Sequence, residues 1–303
     1  MKKVGVFSVK SYNKDHVKFA YTALLPIFGL FFIFRIWPIL ESFRLSFTNH
    51  SIVSTKYSYI GFQNYINMLS NDQDFRISLI NTLLFATLIT IAVIFLALAI
   101  TLVMDRRKII NIGLLQSLFF LPVVISVVPS AIIWKWMYDP QYGIFNYVLS
   151  FFGIGSVGWL VDKRYSMYSI ILFVVWKWLG YFIVIFWVGL KGIPGLYIEA
   201  AKIDGADDWQ IIRSIILPLL KPIMFFSLFL ATIRGFTIFS EVYVMTVGSQ
   251  GAPGNIVKVL TYDIYERAFL YYKTGQANTE GVILFLIVLG LTIIQGKMLG
   301  KGE

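Results

Sequence analysis

The stretch ISLINTLLFATLITIAVIFLALAITLVM, residues 77–104, runs for 28 positions without a charged side chain. About 20 apolar residues in a helix cross the hydrocarbon of a bilayer, so this run crosses with turns to spare. Five further stretches accompany it. Residues 19–40, FAYTALLPIFGLFFIFRIWPIL, are interrupted only by Arg35, and residues 112–134 are uncharged and carry Pro122 and Pro129. Residues 166–190 contain Lys177, and residues 222–245 contain Arg234 and Glu241 and begin at the paired prolines Pro218 and Pro222. The last stretch has 16 uncharged residues between Glu280 and Lys297. It reaches spanning length if its helix begins near Gln276 and Lys297 snorkels to the headgroups. The first stretch is too long for a signal peptide and lacks a small-residue cleavage site. The sequence therefore predicts an all-α, polytopic membrane protein with six transmembrane helices.

Composition agrees. The 303 residues are 58% hydrophobic and only 14% charged, against about 25% charged in a soluble domain. The absence of cysteine excludes disulfides, thiolate catalysis and cysteine zinc sites. Two isolated histidines, His16 and His50, cannot build a histidine-rich metal cluster. The net charge of +10 would suggest nucleic acid in a soluble chain, but in a membrane protein it reflects cytoplasmic loops.

Six spans place both termini on one side. With the termini inside, fourteen basic residues are cytoplasmic, among them Arg106, Arg107 and Lys108 of the short 104–111 loop, and nine are external. That asymmetry predicts cytoplasmic termini. The expected organisation is a cytoplasmic segment 1–18, a six-span domain 19–299 and a cytoplasmic tail 300–303. A small external cap and a single sizeable cytoplasmic loop, 191–221, complete it. No helical or solenoid repeat and no low-complexity tract is visible.

That loop carries the sharpest local signal: residues 199–222 read EAAKIDGADDWQIIRSIILPLLKP. Glu199, Ala200 and Ala201 form helix readily, and Pro194 and Gly195 can open it. Gly205 allows a sharp turn where a β-carbon would crowd the chain. Asp207 and Asp208 suit the N-terminus of a second helix whose Ile211, Ile212, Ile215 and Ile216 recur at helical spacing. Pro218 and Pro222 are expected to end it as the chain turns into the fifth span. The implied structure is two short helices at an angle, with an apolar face exposed. An amphipathic loop lying on the headgroups would read the same way.

The wording is more specific than the pattern. Glu199-Ala200-Ala201, three residues, Gly205, nine residues, Ile215, one residue and Leu217-Pro218 resemble the coupling motif of ATP-binding-cassette importer permeases, with every spacing met. The segments 121–150, 174–206 and 242–269 are similar to permeases of the carbohydrate-importer family, so the likeness covers nearly the whole chain. The 246–279 loop resembles that of the larger maltose-type permease subunit, without its outer domain. The resemblance implies a six-span core paired with a second homologous permease, two ATPase subunits and an external solute-binding protein. It also implies a sugar substrate, possession of no cofactor by this chain, and ATP and Mg used by the partner ATPases. No phosphate-cradling glycine-lysine loop is present, so the chain itself cannot hydrolyse ATP. Two departures stand out: the family usually has a small or neutral residue where Arg234 stands, and commonly a small one where Glu280 stands.

A charge at membrane depth costs at least about 2.5–3.5 kcal/mol, so it normally faces a cavity or a partner. Arg35 lies a turn from the outer end of its span and can snorkel. Lys177, between Trp176 and Trp178, either packs structurally or touches substrate. Arg234 either lines the pathway or forms a buried pair with Glu241, seven residues on and on roughly the same helical face. Aromatic faces commonly grip sugars, and Trp178, Tyr181, Phe182, Phe236, Phe239 and Tyr243 lie near these charges in sequence, although interfacial belts use the same residues. Lys177, Tyr181, Arg234, Phe236, Phe239, Glu241 and Tyr243 are the candidate pathway residues. An arginine fork suits a carboxylate, which would make the substrate an acidic, uronate-containing saccharide, whereas internal pairing of Arg234 with Glu241 would leave it a neutral sugar or oligosaccharide. The rival readings are a permease for another solute, such as glycerol phosphate or a peptide, and a polytopic membrane enzyme. The enzyme would need a cluster of His, Asp or Cys at the membrane face, and a secondary transporter would need paired broken repeats. The sequence shows neither.

Overall fold

A computed structural model describes residues 14–54, 56–106, 111–246 and 256–300. Residues 1–13 of the expected segment 1–18, residues 301–303 of the expected tail 300–303, Thr55, the basic 107–110 stretch and the glycine-containing 247–255 stretch lie outside the described residues. Helices account for nearly all of the rest, and the described residues hold no strand beyond one isolated bridge, Thr48 to Tyr59.

The elements in chain order are α1 (Asp15–Ser46), α2 (Gln63–Asn71), α3 (Gln73–Arg106), α4 (Ile112–Val124), α5 (Val127–Met137) and α6 (Ile144–Ser150). Then follow α7 (Ser166–Lys191), α8 (Gly195–Ile203), α9 (Asp208–Phe236), α10 (Ser240–Thr246), α11 (Leu260–Tyr265) and α12 (Thr274–Gly300). Among the described residues five helices, α1, α3, α7, α9 and α12, are long and apolar enough to cross a membrane. The pair α4–α5, bent by 98°, makes six when counted as one span.

The expected third span is thus broken, and its residues say why. In an unbroken helix the Ile125 carbonyl would accept from the residue four further on, which is Pro129 and has no N–H. The chain turns at Ile125 and Ser126 instead, and Ser126 begins a new helix. The fifth span departs from expectation in two ways. Pro218 and Pro222 do not end the preceding helix, because α9 runs on through both. A widened turn over Ile212–Ile216, closed by the Leu217 N–H on the Ile212 carbonyl, relieves the clash and the missing donor at Pro218. The same device, Phe32–Ile36 closed by Trp37 on Phe32, precedes Pro38 in α1. At its far end α9 stops at Phe236, and α10 is a separate helix.

The core centres on α7. Its Ile170, Phe173, Val174, Phe182 and Phe186 are fully buried against Phe85, Ile89 and Val93 of α3 and Ala231 of α9. Close approach is built in: a β-carbon on Gly180 of α7 would overlap the Phe119 carbonyl of α4. A second cluster joins Met68, Phe75, Ala86, Phe236, Leu260 and Leu284 beside α12. In contrast, α1 is exposed over its first two-thirds and meets α12 through its C-terminal end, where Ser42 Oγ lies 2.6 Å from Asn278 Oδ1.

Candidate functional site

The 195–217 segment folds as a helix, a tight turn and a second helix. Pro194 caps α8, and the Gly205 N–H reaches the Lys202 carbonyl at 3.1 Å while Ala206 N–H reaches Ala201 at 2.9 Å. Gly205 has φ +82°, a left-handed conformation that favours glycine. A β-carbon there meets nothing within 4 Å, so conformation rather than crowding requires the glycine. Asp207 then opens α9 through a reciprocal cap: Gln210 N–H donates to Asp207 Oδ1 and Asp207 N–H to Gln210 Oε1, both at 2.7 Å.

The apolar face of this second helix is not exposed, contrary to expectation. Ile211, Ile212 and Ile216 are buried with Leu190 of α7 and Leu220, and Ile198, Ala201 and Leu217 pack around them. The isoleucines weld the segment to the membrane domain instead. Other residues face outward: Ile203 is 86% and Trp209 65% exposed, with Leu196 and Tyr197 beside them. Glu199, Ala200 and Pro218 are exposed and Ile215 half-buried. Between the two helices lies a notch of about 460 Å³ lined by Ala201, Asp204, Gly205, Ala206, Gln210, Ile211, Ser214 and Ile215.

Three of the intramembrane charges, Lys177, Arg234 and Glu241, gather where α4–α5, α7 and the α9–α10 junction meet, whereas Arg35 is exposed on α1. Lys177 is 4% exposed, and its ammonium donates to the carbonyls of Pro122 and Ile125 at the break of the third span. Trp178 Nε1 donates to Glu241 Oε1 at 3.3 Å. The Arg234 guanidinium lies 4.3 Å from the Tyr181 ring centre and 5.9 Å from that of Trp178. Trp178 therefore stands between the two charges: its ring serves Arg234 and its N–H serves Glu241. Because α9 ends at Phe236, Arg234 and Glu241 do not share a helix face, and among the described residues no ion pair joins them.

Phe239 and Tyr243 stack at 5.2 Å and belong to an aromatic group with Tyr262 and Tyr265 of α11. Sequence reading missed those two tyrosines; their spacing of three residues in TYDIYERAF places them on one helix face. Phe236 sits apart, buried with Phe75 and Leu260. Glu280 also sits apart from the Arg234 group. It is fully buried, 3.2 Å from Arg267, whose guanidinium also holds Asp72 at 2.7 Å and Asp263 at 2.8 Å. Lys258 joins this charged cluster through Glu266 at 2.7 Å and Asp263 at 3.2 Å. Burial alone would lower the Lys258 ammonium, but the Glu266 and Asp263 carboxylates outweigh it and hold it above its ordinary value. Among the described residues no group of His, Cys, Asp or Glu is arranged to hold a metal ion.

Comparison with known proteins agrees with this architecture. The trehalose/maltose transport system permease protein MalF of Thermococcus litoralis is 30% identical over 284 residues, 93% of each chain. The arabinooligosaccharides transport system permease protein AraP of Bacillus subtilis is 31% identical over 297 residues, 96% of this chain and 92% of that one. A crystal structure of a bacterial ABC transporter involved in import of the acidic polysaccharide alginate matches with a TM-score of 0.83 at 21% identity, covering 94% of this chain and 96% of the other. Residues 114–296 match the family model for the inner membrane component of binding-protein-dependent transport systems. That match and the two full-length relatives place the chain in one family: it belongs to the binding-protein-dependent transport system inner membrane components.

Proposed function

We propose that this chain is one membrane-spanning permease subunit of an ATP-driven carbohydrate importer. It pairs with a second homologous permease, receives a saccharide from an external solute-binding protein, and rests on two ATPase subunits that bind ATP and Mg. Both termini face the cytoplasm. The observation that carries this reading is the capped helix-turn-helix of 195–217, whose outward residues surround a notch while its isoleucines are fixed to α7. A segment so welded moves as a rigid part of the membrane domain, which suits it to transmit the closing of an ATPase pair. Oligosaccharide substrates are supported by the trehalose/maltose and arabinooligosaccharide relatives.

Within that reading the substrate is an acidic, uronate-containing saccharide. Arg234 is half-buried and held on its aromatic neighbours, with no carboxylate among the described residues in ion-pair contact with it, so its fork can take one. Tyr181, Phe239 and Tyr243 supply faces for the sugar rings. The test is ATP-dependent uptake into proteoliposomes holding the assembled transporter and its binding protein. Uptake of a uronate-containing oligosaccharide is expected, and Arg234→Gln should lower it about tenfold or more while sparing the neutral counterpart. Equal loss of both sugars makes Arg234 structural. Uptake of glycerol phosphate or peptide with neither sugar would refute the carbohydrate assignment.

A further inference from the structure

The break in the third span leaves a problem that one side chain solves. The Ile125 carbonyl has lost its helical donor because Pro129 stands four residues on, and the Pro122 carbonyl lies in the last turn of α4. Two bare carbonyls inside a membrane domain are costly, since no water is there to pair them. Lys177 reaches across from α7 and donates to both. Its positive charge also sits at the C-terminal end of α4, where the helix dipole favours a cation. Gly180, one turn along α7, lets the α4 backbone approach closely enough for this reach. The next residue, Trp178, ties the same turn of α7 to Glu241 on α10, the far half of the other interrupted span.

We propose that Lys177 is the latch of a gate in the third span. It holds α4 and α5 in the bent form, and the transport cycle opens and closes that bend. The inference rests on the transport reading, and it assigns Lys177 a positioning role rather than a contact with substrate. Lysine supplies what the site needs: several donors on one flexible stem, with a charge that makes each bond stronger than a neutral one. Losing it would loosen the bend, because the Pro122 and Ile125 carbonyls would then stand unpaired while Pro129 still bars a continuous helix.

The chain has no cysteine, so spin labels can be placed at Leu118 of α4 and Trp136 of α5, both exposed. In the purified assembled transporter, Lys177→Met should shift or broaden the distance distribution between them and lower uptake about tenfold, whereas Lys177→Arg should preserve both. A distribution unchanged by Lys177→Met overturns the latch, and a raised KM with unchanged distances would make Lys177 a substrate contact. Should the methionine variant fail to assemble, the labelled chain with Lys177 intact decides. Its distribution must differ between the resting and vanadate-trapped states, and a fixed distance overturns the gate. The distance measurement on Lys177→Met needs no transport, so failure of the importer reading would show separately as absent uptake in the unaltered protein.

Discussion

The first and fourth spans are equally suited to a bilayer, yet one is bare and the other is the centre of the protein. None of the most apolar window of α1 is buried, against 67% of that of α7. Lipid tails are as apolar as leucine, so hydropathy cannot draw one span inward and leave another outside. What differs is the fit of surfaces. Gly180 of α7 lies against the backbone of α4, whereas Gly29 of α1 faces open space. Hydropathy decides what enters the membrane, and close contact decides what packs there.

The largest expected effect tests this contrast directly. Gly180→Leu should destabilise the purified protein by at least about 3 kcal/mol, because the new side chain meets backbone that cannot step aside. Gly29→Leu should stay within about 0.5 kcal/mol. Thermal unfolding in detergent checks both, and a reversed order would break the comparison.

Gly205 sharpens it, being a glycine required by conformation alone. Gly205→Val should cost about 1–2 kcal/mol through its left-handed backbone and should uncouple ATP hydrolysis from uptake. Gly205→Asn should be tolerated, since asparagine enters that region and the space around it is open. Coupled ATPase and uptake assays separate the two, and equal damage would mean that volume matters there after all.

The smallest effect concerns how the spans are fastened outside. Burial would raise the Asp72 carboxyl, but the Arg267 guanidinium and the Phe75 N–H outweigh it and hold it below the usual carboxylate range. Its contribution is therefore present above about pH 4 and is lost as pH falls through the lowered value. The α1–α12 contact is neutral and has no such dependence. Acidification below about pH 4 should raise amide exchange in α11, corrected for its intrinsic pH dependence, while the C-terminal end of α1 is unchanged. A matching rise in α1 would show that the two fastenings act as one.

These contrasts also mark what the sequence could reveal. Span positions and the capped turn at Asp207 were legible because each depends on residues close together in the chain. The ends of the interrupted spans were not. Pro218 reads as a terminator, and only the widened turn before it lets the helix continue. Pro129 stands within an uncharged run that reads as one span, yet the chain breaks four residues earlier, at Ile125, where the deprived carbonyl lies. Arg234 and Glu241 look like helical neighbours until α9 stops between them. Glu280 stands out in the sequence only as a departure from the family pattern, and its partner Arg267 is visible only in the fold. Arg267 also reaches Asp72, 195 residues away in the chain, and no local pattern announces such a pairing.

The bare first helix has a consequence for the order in which the molecule is put together. Its anchor, Ser42 on Asn278, joins residues 236 apart, so the partner surface does not exist until most of the chain has been synthesised. The ribosome delivers α1 to the membrane well before α12, and the helix must wait there surrounded by lipid. Its apolar surface needs no protein cover during that wait. A span made well before α12 is thus docked only once α12 is in place, and it closes the bundle at one end of the helices.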